Sequence, residues 1–334
     1  MSTAFSDKRT RPLYVVAVSF SLLLVCQSEF IAAQQNYPTK PVRIIYPAAA
    51  GSTGDLRTRV LAEKLSQRLG QRFIVESKPG ASTTIGTALV AAAPPDGYTL
   101  LSTFTPSFPI GHILNKTAAY DPVLSFTPIG MFARGSPFLI VNPTLPVATL
   151  KDFVALAKSK PGAITLAHGG PGSATHLPAM LFSRAAGIDV LYVAYKGDSA
   201  TIPDLIGGQI SASFAYTAVA VPQIKAGKVR ALAVGGIERN HAVPEVPTFA
   251  EAGYPGFHYD ATMLLLGPAG LPQDIVILLN REIALILKDP DVRAIYEKTG
   301  SNPVSGNPAE TAALIKRELE IGGGLVKELG IVLE

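Results

Sequence analysis

The chain has 334 residues, a length that corresponds to about two domains of ~150 residues each. Apolar residues make up 48% of it and charged residues 16%, which excludes a chain that is disordered throughout. The formal charge is only +4, and no segment gathers the excess cations into a basic stripe, so the composition argues against a nucleic-acid partner.

The first 33 residues have the pattern of an export signal. Cations within residues 8–11 precede an apolar run at residues 13–26, and the small residues Ala32 and Ala33 follow where a signal peptidase cuts. The apolar run is shorter than the ~20 residues that span a bilayer, which argues against a transmembrane anchor. Cys26 lies inside this signal, so we expect an exported chain without cysteine, disulfide bonds or thiolate chemistry.

After the signal, short β-branched runs alternate with amphipathic stretches, a pattern typical of an α/β fold with a mainly parallel sheet. The first series has predicted strands at 42–46, 73–75 and 98–101 and helices at 56–69 and 85–93. The second has strands at 138–141, 164–167, 190–193, 210–214 and 229–234 and helices at 150–158, 175–186 and 202–205. Helices are also predicted at 272–287, 290–299 and 308–329. The predicted apolar face of the first helix consists of Leu56, Val60, Leu61, Leu65 and Leu69.

Two loops of small residues each follow a predicted strand and precede a helix. The first, at 47–55, lets the backbone approach a ligand closely, and the helix that it opens presents unpaired N–H groups that favour an anion. An ordinary capped helix start, with Ser52 or Thr53 as the N-cap and Asp55 near the dipole, explains the same residues. The second loop, at 167–176, repeats the arrangement, so the pair favours one anionic ligand held between two domains.

Cofactor and enzyme motifs are incomplete in these loops. The second loop nearly matches G-x-G-x-x-G from Gly170, but the last position is Thr175, so no dinucleotide or other cofactor is expected. Residues 50–54 differ by one position from the G-x-S-x-G motif of a secreted serine hydrolase, a distant alternative that would need a histidine base. The five histidines have no metal-binding spacing. We therefore expect no catalytic residue and no metal ligand.

A series of short motifs runs through nearly all of the exported chain. They include Tyr37–Arg43, the loop Gly51–Asp55 with Arg57, Pro79-Gly80-Ala81, Pro95–Leu100, Gly172-Ser173 with His176, Tyr195-Lys196-Gly197, Gly207-Gly208-Gln209 and Pro268-Ala269-Gly270. Together these motifs resemble the periplasmic solute-binding receptors of tripartite tricarboxylate transporters, which are called Bug receptors.

The resemblance implies a type II periplasmic-binding-protein fold. In that fold, two three-layer α/β domains are joined by two crossing strands, and the ligand lies in the cleft between them. We expect a signal peptide at 1–33, one domain at 34–137 plus 259–334, and a second at 138–258. The implied function is that of a monomeric, non-catalytic periplasmic receptor, which delivers a small organic carboxylate to membrane permease subunits. A periplasmic carboxylate sensor that acts with a two-component system fits the same sequence.

The resemblance also implies ligand contacts from backbone and hydroxyl groups of several loops. The expected ligand-binding residues are Gly51, Ser52, Thr53, Gly54, Thr83, Thr84, Thr103, Gly170, Gly172, Ser173, His176 and Tyr195. For Lys196, a solvated side chain and a charge partner of the ligand remain equally open. The family pattern is altered at Ala48–Ala50, which predicts a wider pocket for an aromatic or branched acid, and at Ala215, which replaces a frequent aspartate and argues against an amino-acid ligand.

Overall fold

The computed structural model describes residue 1 and residues 37–105, 107–115, 117–171, 173–298 and 301–329. The predicted signal at 1–33 lies outside the described residues, apart from Met1. Residues 40–334 form one compact unit that contains two five-stranded sheets. Within the described residues, no helix is both long and apolar enough to cross a membrane.

Sheet 1 has the strand order β2-β1-β3-β10-β4. Its strands are β1 (Val42–Tyr46), β2 (Phe73–Ser77), β3 (Thr99–Phe104), β4 (Phe126–Gly135) and β10 (Ala261–Pro268). Strand β1 is parallel to β2 and β3, whereas β10 is antiparallel to both β3 and β4.

Sheet 2 repeats this arrangement with the order β7-β6-β8-β5-β9. Its strands are β5 (Pro137–Val141), β6 (Thr165–His168), β7 (Leu191–Ala194), β8 (Ala212–Tyr216) and β9 (Arg230–Val234). Strand β6 is parallel to β7 and β8, and β5 is antiparallel to β8 and β9. Both sheets are therefore mixed, and the expectation of a mainly parallel sheet was wrong. Strands β5 and β10 each arrive from the other sheet, so neither belongs to a βαβ unit that would make it parallel.

Ten α-helices flank the strands in the described part of the chain. They are α1 (Thr53–Leu69), α2 (Thr84–Ala91), α3 (Ser107–Leu114), α4 (Leu150–Ser159), α5 (His176–Ala186), α6 (Ile202–Ile206), α7 (Thr217–Lys225), α8 (Gln273–Ile286), α9 (Pro290–Lys298) and α10 (Pro308–Leu329). The sequence analysis missed β4, β10, α3 and α7. Gly130 and Pro128 interrupt the β4 pattern, Pro222 lies inside α7, and β10 is buried along its whole length, so it shows no alternation.

The core covers both faces of sheet 2. Phe138 and Ile140 of β5 pack into one hydrophobic cluster, whereas Leu139 and Val141 of the same strand pack into another. Alternate residues of a strand face opposite sides, so both faces carry buried apolar side chains, as a three-layer α/β arrangement requires. Phe182 of α5 is the centre of the second cluster and makes edge contacts with four aromatic rings.

The chain passes between the sheets twice, and the two connections bond to each other. The first lies at Ser136, between β4 and β5, and the second joins β9 to β10. The Gly235 N–H donates to the Pro137 carbonyl at 2.8 Å, and the Ser136 hydroxyl donates to the Asp260 carboxylate. His258 Nε2 lies 3.0 Å from the other oxygen of Asp260. These bonds hold together the two places where the chain crosses from one sheet to the other.

Candidate ligand-binding site

A cavity of about 670 Å³ lies where the carboxyl ends of the parallel strands of both sheets meet. Tyr46 and Phe104 are the last residues of β1 and β3, and Tyr216 is the last residue of β8. All three line the cavity, together with Met263 near the start of the antiparallel strand β10. The lining therefore combines large apolar surfaces from the strand ends with loops that follow the strands.

The first loop places the start of α1 against the cavity. Ser52 is the N-cap of α1, and its hydroxyl accepts from the Asp55 N–H, donates to the Ala49 carbonyl and lies 3.1 Å from the Tyr46 hydroxyl. A side chain on Gly54 would overlap the Tyr46 hydroxyl, so glycine is needed where the helix passes this ring. The capped helix start and the cavity wall, which the sequence offered as alternatives, are both present in this loop.

The second wall is a strained loop between β2 and α2. Ala81, Ser82 and Thr83 have φ values of 44°, 56° and 75°, a left-handed conformation that costs non-glycine residues about 1–2 kcal/mol each. The Thr84 hydroxyl donates to the Ala81 carbonyl at 2.6 Å, and the Thr87 hydroxyl donates to the Thr83 carbonyl at 2.8 Å. Backbone strain that neighbouring bonds maintain is typical of functional loops, and this loop lines the cavity.

The third wall is the loop between β6 and α5. The Gly169 N–H donates to the Thr175 hydroxyl at 2.8 Å, and the Ser173 N–H donates to the Gly170 carbonyl at 3.1 Å. A side chain on Gly169 would meet the backbone of Gly197 and Asp198, so the two loops of sheet 2 approach each other closely here. This approach brings Gly197 and Asp198 to the cavity beside the 169–175 loop.

Two buried groups of opposite charge line the cavity from different sheets. Arg57 of α1 is 3% exposed, and burial lowers its pKa. Asp198 is 7% exposed, and burial raises its pKa, while its carboxylate accepts from the backbone N–H groups of Tyr216 and Ser199. The cavity therefore carries both a cation and an acid, and a ligand inside it meets both.

Six of the predicted ligand-binding residues line this cavity. They are Ser52, Thr53, Gly54, Thr83, Gly170 and Ser173. Gly172 lies outside the described residues. Lys196 also lines the cavity, with an exposed side chain. The structure thus brings the three predicted loops together around one space.

Five other predicted residues are not part of the lining, and each has a physical reason. The Gly51 N–H donates to the Asp55 carboxylate at 2.9 Å. The Thr84 hydroxyl donates to Ala81 and accepts from the Asn115 side chain at 2.8 Å. Thr103 directly precedes the cavity-lining Phe104, so its side chain faces the other side of sheet 1.

His176 and Tyr195 are the remaining two. The His176 ring stacks on His168 with centroids 4.2 Å apart and meets the edge of Tyr192, so it packs beneath the loop. The Tyr195 hydroxyl donates to the Asp204 carboxylate at 2.6 Å, which raises the pKa of Tyr195 to about 12. Both side chains contact residues of sheet 2 and its connecting segments instead of the cavity.

The position of Tyr195 leads to a first prediction. Replacing Tyr195→Phe removes only the bond to Asp204, which lies outside the cavity. We expect the affinity for an organic acid to stay within twofold and the free energy of unfolding to fall by about 0.5–1 kcal/mol. Calorimetric titration and urea unfolding of the variant measure these two quantities. A tenfold loss of affinity with unchanged stability would instead place the hydroxyl on the ligand.

Several lining residues were missed as candidates by the sequence analysis, although Arg57 was part of one of the motifs. They include Tyr46, Arg57, Phe104, Asp198 and Met263. Tyr46 and Phe104 could have been found as the residues at strand ends. Arg57 lies four positions after Thr53 and four before Leu61, so it interrupts the buried stripe of α1 with a cation. No local pattern marks Asp198 or Met263, because each reaches the cavity from a distant part of the chain.

Comparison with known proteins identifies the family. The model of the tripartite tricarboxylate transporter family receptor matches residues 57–331. Protein BugT of Bordetella pertussis is 33% identical over 300 residues, which cover 90% of this chain and 92% of BugT. The periplasmic binding protein BugD is 33% identical with a TM-score of 0.83, and the match covers 89% of this chain and 100% of BugD. The structure of R. palustris Rpa4515 with adipate is 30% identical with a TM-score of 0.84, covering 89% and 99% of the two chains. The chain therefore belongs to the receptor family of tripartite tricarboxylate transporters, has the fold of its periplasmic binding proteins, and is a solute receptor.

Proposed function

We propose that this protein binds a small organic carboxylate in the cleft between its two sheets and delivers it to the permease subunits of its transporter. The observation that carries the proposal is the cavity of about 670 Å³, into which three loops open just before helices α1, α2 and α5. A helix start offers unpaired N–H groups and the positive end of the helix dipole, which favour an anion. Arg57 adds a full positive charge to the same space.

The relatives support an organic acid as the ligand. Rpa4515 is described with adipate, a six-carbon acid with a carboxylate at each end, and it matches nearly the whole described chain. The Ser52 hydroxyl bonds to Tyr46 and Ala49, and no histidine of the described residues bonds to it. Ser52 therefore lacks the histidine base that activates the nucleophile of a serine hydrolase, which supports a receptor that returns its ligand unchanged.

The proposed binding cycle uses two domains, at 34–137 plus 259–334 and at 138–258. The proposed boundaries are supported by the course of the chain, which enters sheet 2 at Pro137 and returns to sheet 1 with β10, beginning at Ala261. Closure about the bonded crossing segments excludes water from the ligand, and charge-assisted hydrogen bonds gain strength there. The signal at 1–33 sends the chain to the periplasm, where it acts as a monomer.

A thermal-shift screen tests the proposal. The exported chain, freed of co-purified ligand, is heated with adipate, malate, glutamate and phenylacetate. At about 100-fold excess over Kd, a ligand that binds only the folded state adds about 2.7 kcal/mol, which raises the unfolding midpoint by several degrees. Recovery of the acid chemically unchanged excludes turnover. If none of the four acids raises the midpoint, the proposal fails.

Ser173 supplies a second prediction at this site. Ser173 lines the cavity, and its hydroxyl accepts from the His176 N–H at 3.2 Å. For Ser173→Ala we expect a 3- to 10-fold loss of affinity for an acid found in the screen, and a loss of about 1 kcal/mol of stability from the missing hydrogen bond to the His176 N–H. Calorimetry below the unfolding transition separates the two effects. Ser159→Ala, at the exposed end of α4, is the control and should keep its affinity; equal affinities in both variants would remove Ser173 from the site.

A further inference from the structure

Helix α1 presents two buried polar side chains to the cavity, one turn apart. Thr53 is 4% exposed and Arg57 is 3% exposed, and both line the cavity. Side chains four residues apart lie on the same face of a helix and lean toward its N-terminus, which here is the cavity end of α1. Among the described residues, Thr53 Oγ1 and Arg57 Nε and Nη2 have no hydrogen-bond partner. Three donor atoms are thus buried together without an acceptor.

No carboxylate of the described residues forms an ion pair with Arg57, although the charge of Asp198 acts on it from a longer distance. Asp198, the acid that faces the same cavity, bonds to backbone N–H groups and forms no ion pair with it. The guanidinium packs against the backbone of Gly135, where a side chain would collide with it. Leaving a buried cation unpaired costs several kcal/mol, because water no longer solvates it and no anion replaces the water. An anion from outside the chain removes this penalty.

We infer that Arg57 and Thr53 form a subsite that binds a carboxylate group of the ligand directly. A guanidinium presents N–H donors in pairs along its edges, and the spacing of such a pair matches the two oxygens of a carboxylate, which reaches Arg57 when the loops close around the ligand. The Thr53 hydroxyl donates a third hydrogen bond. The inference rests on the proposed function, since it assigns a place in the site to the organic acid.

The surroundings of this subsite define the class of acid. Tyr46, Phe104 and Met263 supply apolar surface in the same cavity. The subsite therefore selects an acid that carries an apolar chain or ring next to its carboxylate.

The test measures affinities by calorimetry for adipate, phenylacetate and malate. Arg57→Met keeps the length of the side chain and removes the charge, so we expect at least a 100-fold loss for each acid that the unaltered protein binds. Arg57→Lys keeps the charge without the paired donors and should lose about 10- to 30-fold, and Thr53→Val about 5-fold. Arg281→Met, an exposed arginine outside the cavity, is the matched control and should stay within twofold. Malate, which is polar throughout, should bind at least 10-fold more weakly than adipate or phenylacetate.

Each outcome decides the inference. If Arg57→Met binds within threefold of the unaltered protein, the subsite is overturned while the proposed function stands; if malate binds tightest, the class of acid is overturned. If no acid binds, the proposed function fails, but Arg57 can still be tested by thermal unfolding. The unfolding midpoint is then compared in sodium acetate and in sodium chloride, each at about 0.2 M, a concentration high enough to detect weak binding. Acetate must then stabilise the unaltered protein and not Arg57→Met. The Met variant should fold, because it removes an unpaired buried charge; if it does not, Arg57→Lys and Thr53→Val carry the same comparison.

Discussion

Acidification from pH 6.5 to pH 4 should destabilise this protein by about 2–3 kcal/mol more than its His176→Phe variant. Burial and the neighbouring His168 lower the pKa of His176 to about 3. In the unfolded chain a histidine titrates near pH 6.5. Below that pH, His176 is protonated in the unfolded chain but stays neutral in the folded chain. The equilibrium therefore shifts toward unfolding until the pH approaches 3.

Urea unfolding at intervals between pH 7.5 and pH 4 measures this effect. Phenylalanine keeps a ring against His168 and Tyr192 but cannot bind a proton, so the free energy of unfolding should depend less steeply on pH in the variant. His241→Phe, which alters an exposed histidine, serves as the control and should retain the full slope. Parallel curves for the unaltered protein and His176→Phe would show that the buried ring does not resist protonation.

The substitution Gly54→Ala should lower the free energy of unfolding by about 1–3 kcal/mol and weaken the affinity for an organic acid at least tenfold. The added methyl group overlaps the Tyr46 hydroxyl, so either the ring or the start of α1 must move. The Tyr46 ring lines the cavity and bonds to the N-cap Ser52, and a shift of either disturbs the loop that faces the ligand. Urea unfolding and calorimetric titration measure the two losses.

A double substitution tests the cause of this effect. Tyr46→Phe removes the hydroxyl that the new methyl group meets most closely, so adding it to Gly54→Ala should recover about 1–2 kcal/mol relative to the sum of the single changes. Tyr46→Phe alone loses its bond to Ser52 and should cost about 1 kcal/mol. Strict additivity of the two changes would mean that the collision with Tyr46 is not the source of the damage.

Much of the fold could be predicted from local patterns. Strand β1 was predicted at its observed bounds, and α4 and α10 to within one residue, because each has a clear apolar period between turn signals. The missed strands β4 and β10 form the antiparallel half of sheet 1. Their partners lie far apart in the chain, and a strand buried on both faces has no alternation by which to recognise it.

In helix α1, the spacing of the apolar residues predicts the helix correctly but predicts the wrong buried face. The apolar residues placed Leu56 on the buried side, yet Leu56 is 44% exposed and the neighbouring Arg57 is buried. The observed buried stripe is Thr53, Arg57, Leu61 and Leu65, which keeps the helical spacing but begins with two polar residues. Arginine is a mostly exposed residue type, so a hydrophobic pattern places Arg57 on the surface. Its burial beside a cavity becomes visible only in the complete fold.

The sequence by itself determined the α/β class, the capped loop before α1, the small-residue loop before α5, and the membership of the receptor family that the comparisons confirm. Each of these depends on residues that are close together in the chain. Only the tertiary structure decided which side chains face the cavity: it buried Arg57 against Gly135, turned His176 onto His168 and brought Asp198 in from the other sheet. These contacts join distant segments, and their energies arise from burial and charge that exist only after the two sheets have packed around a shared space.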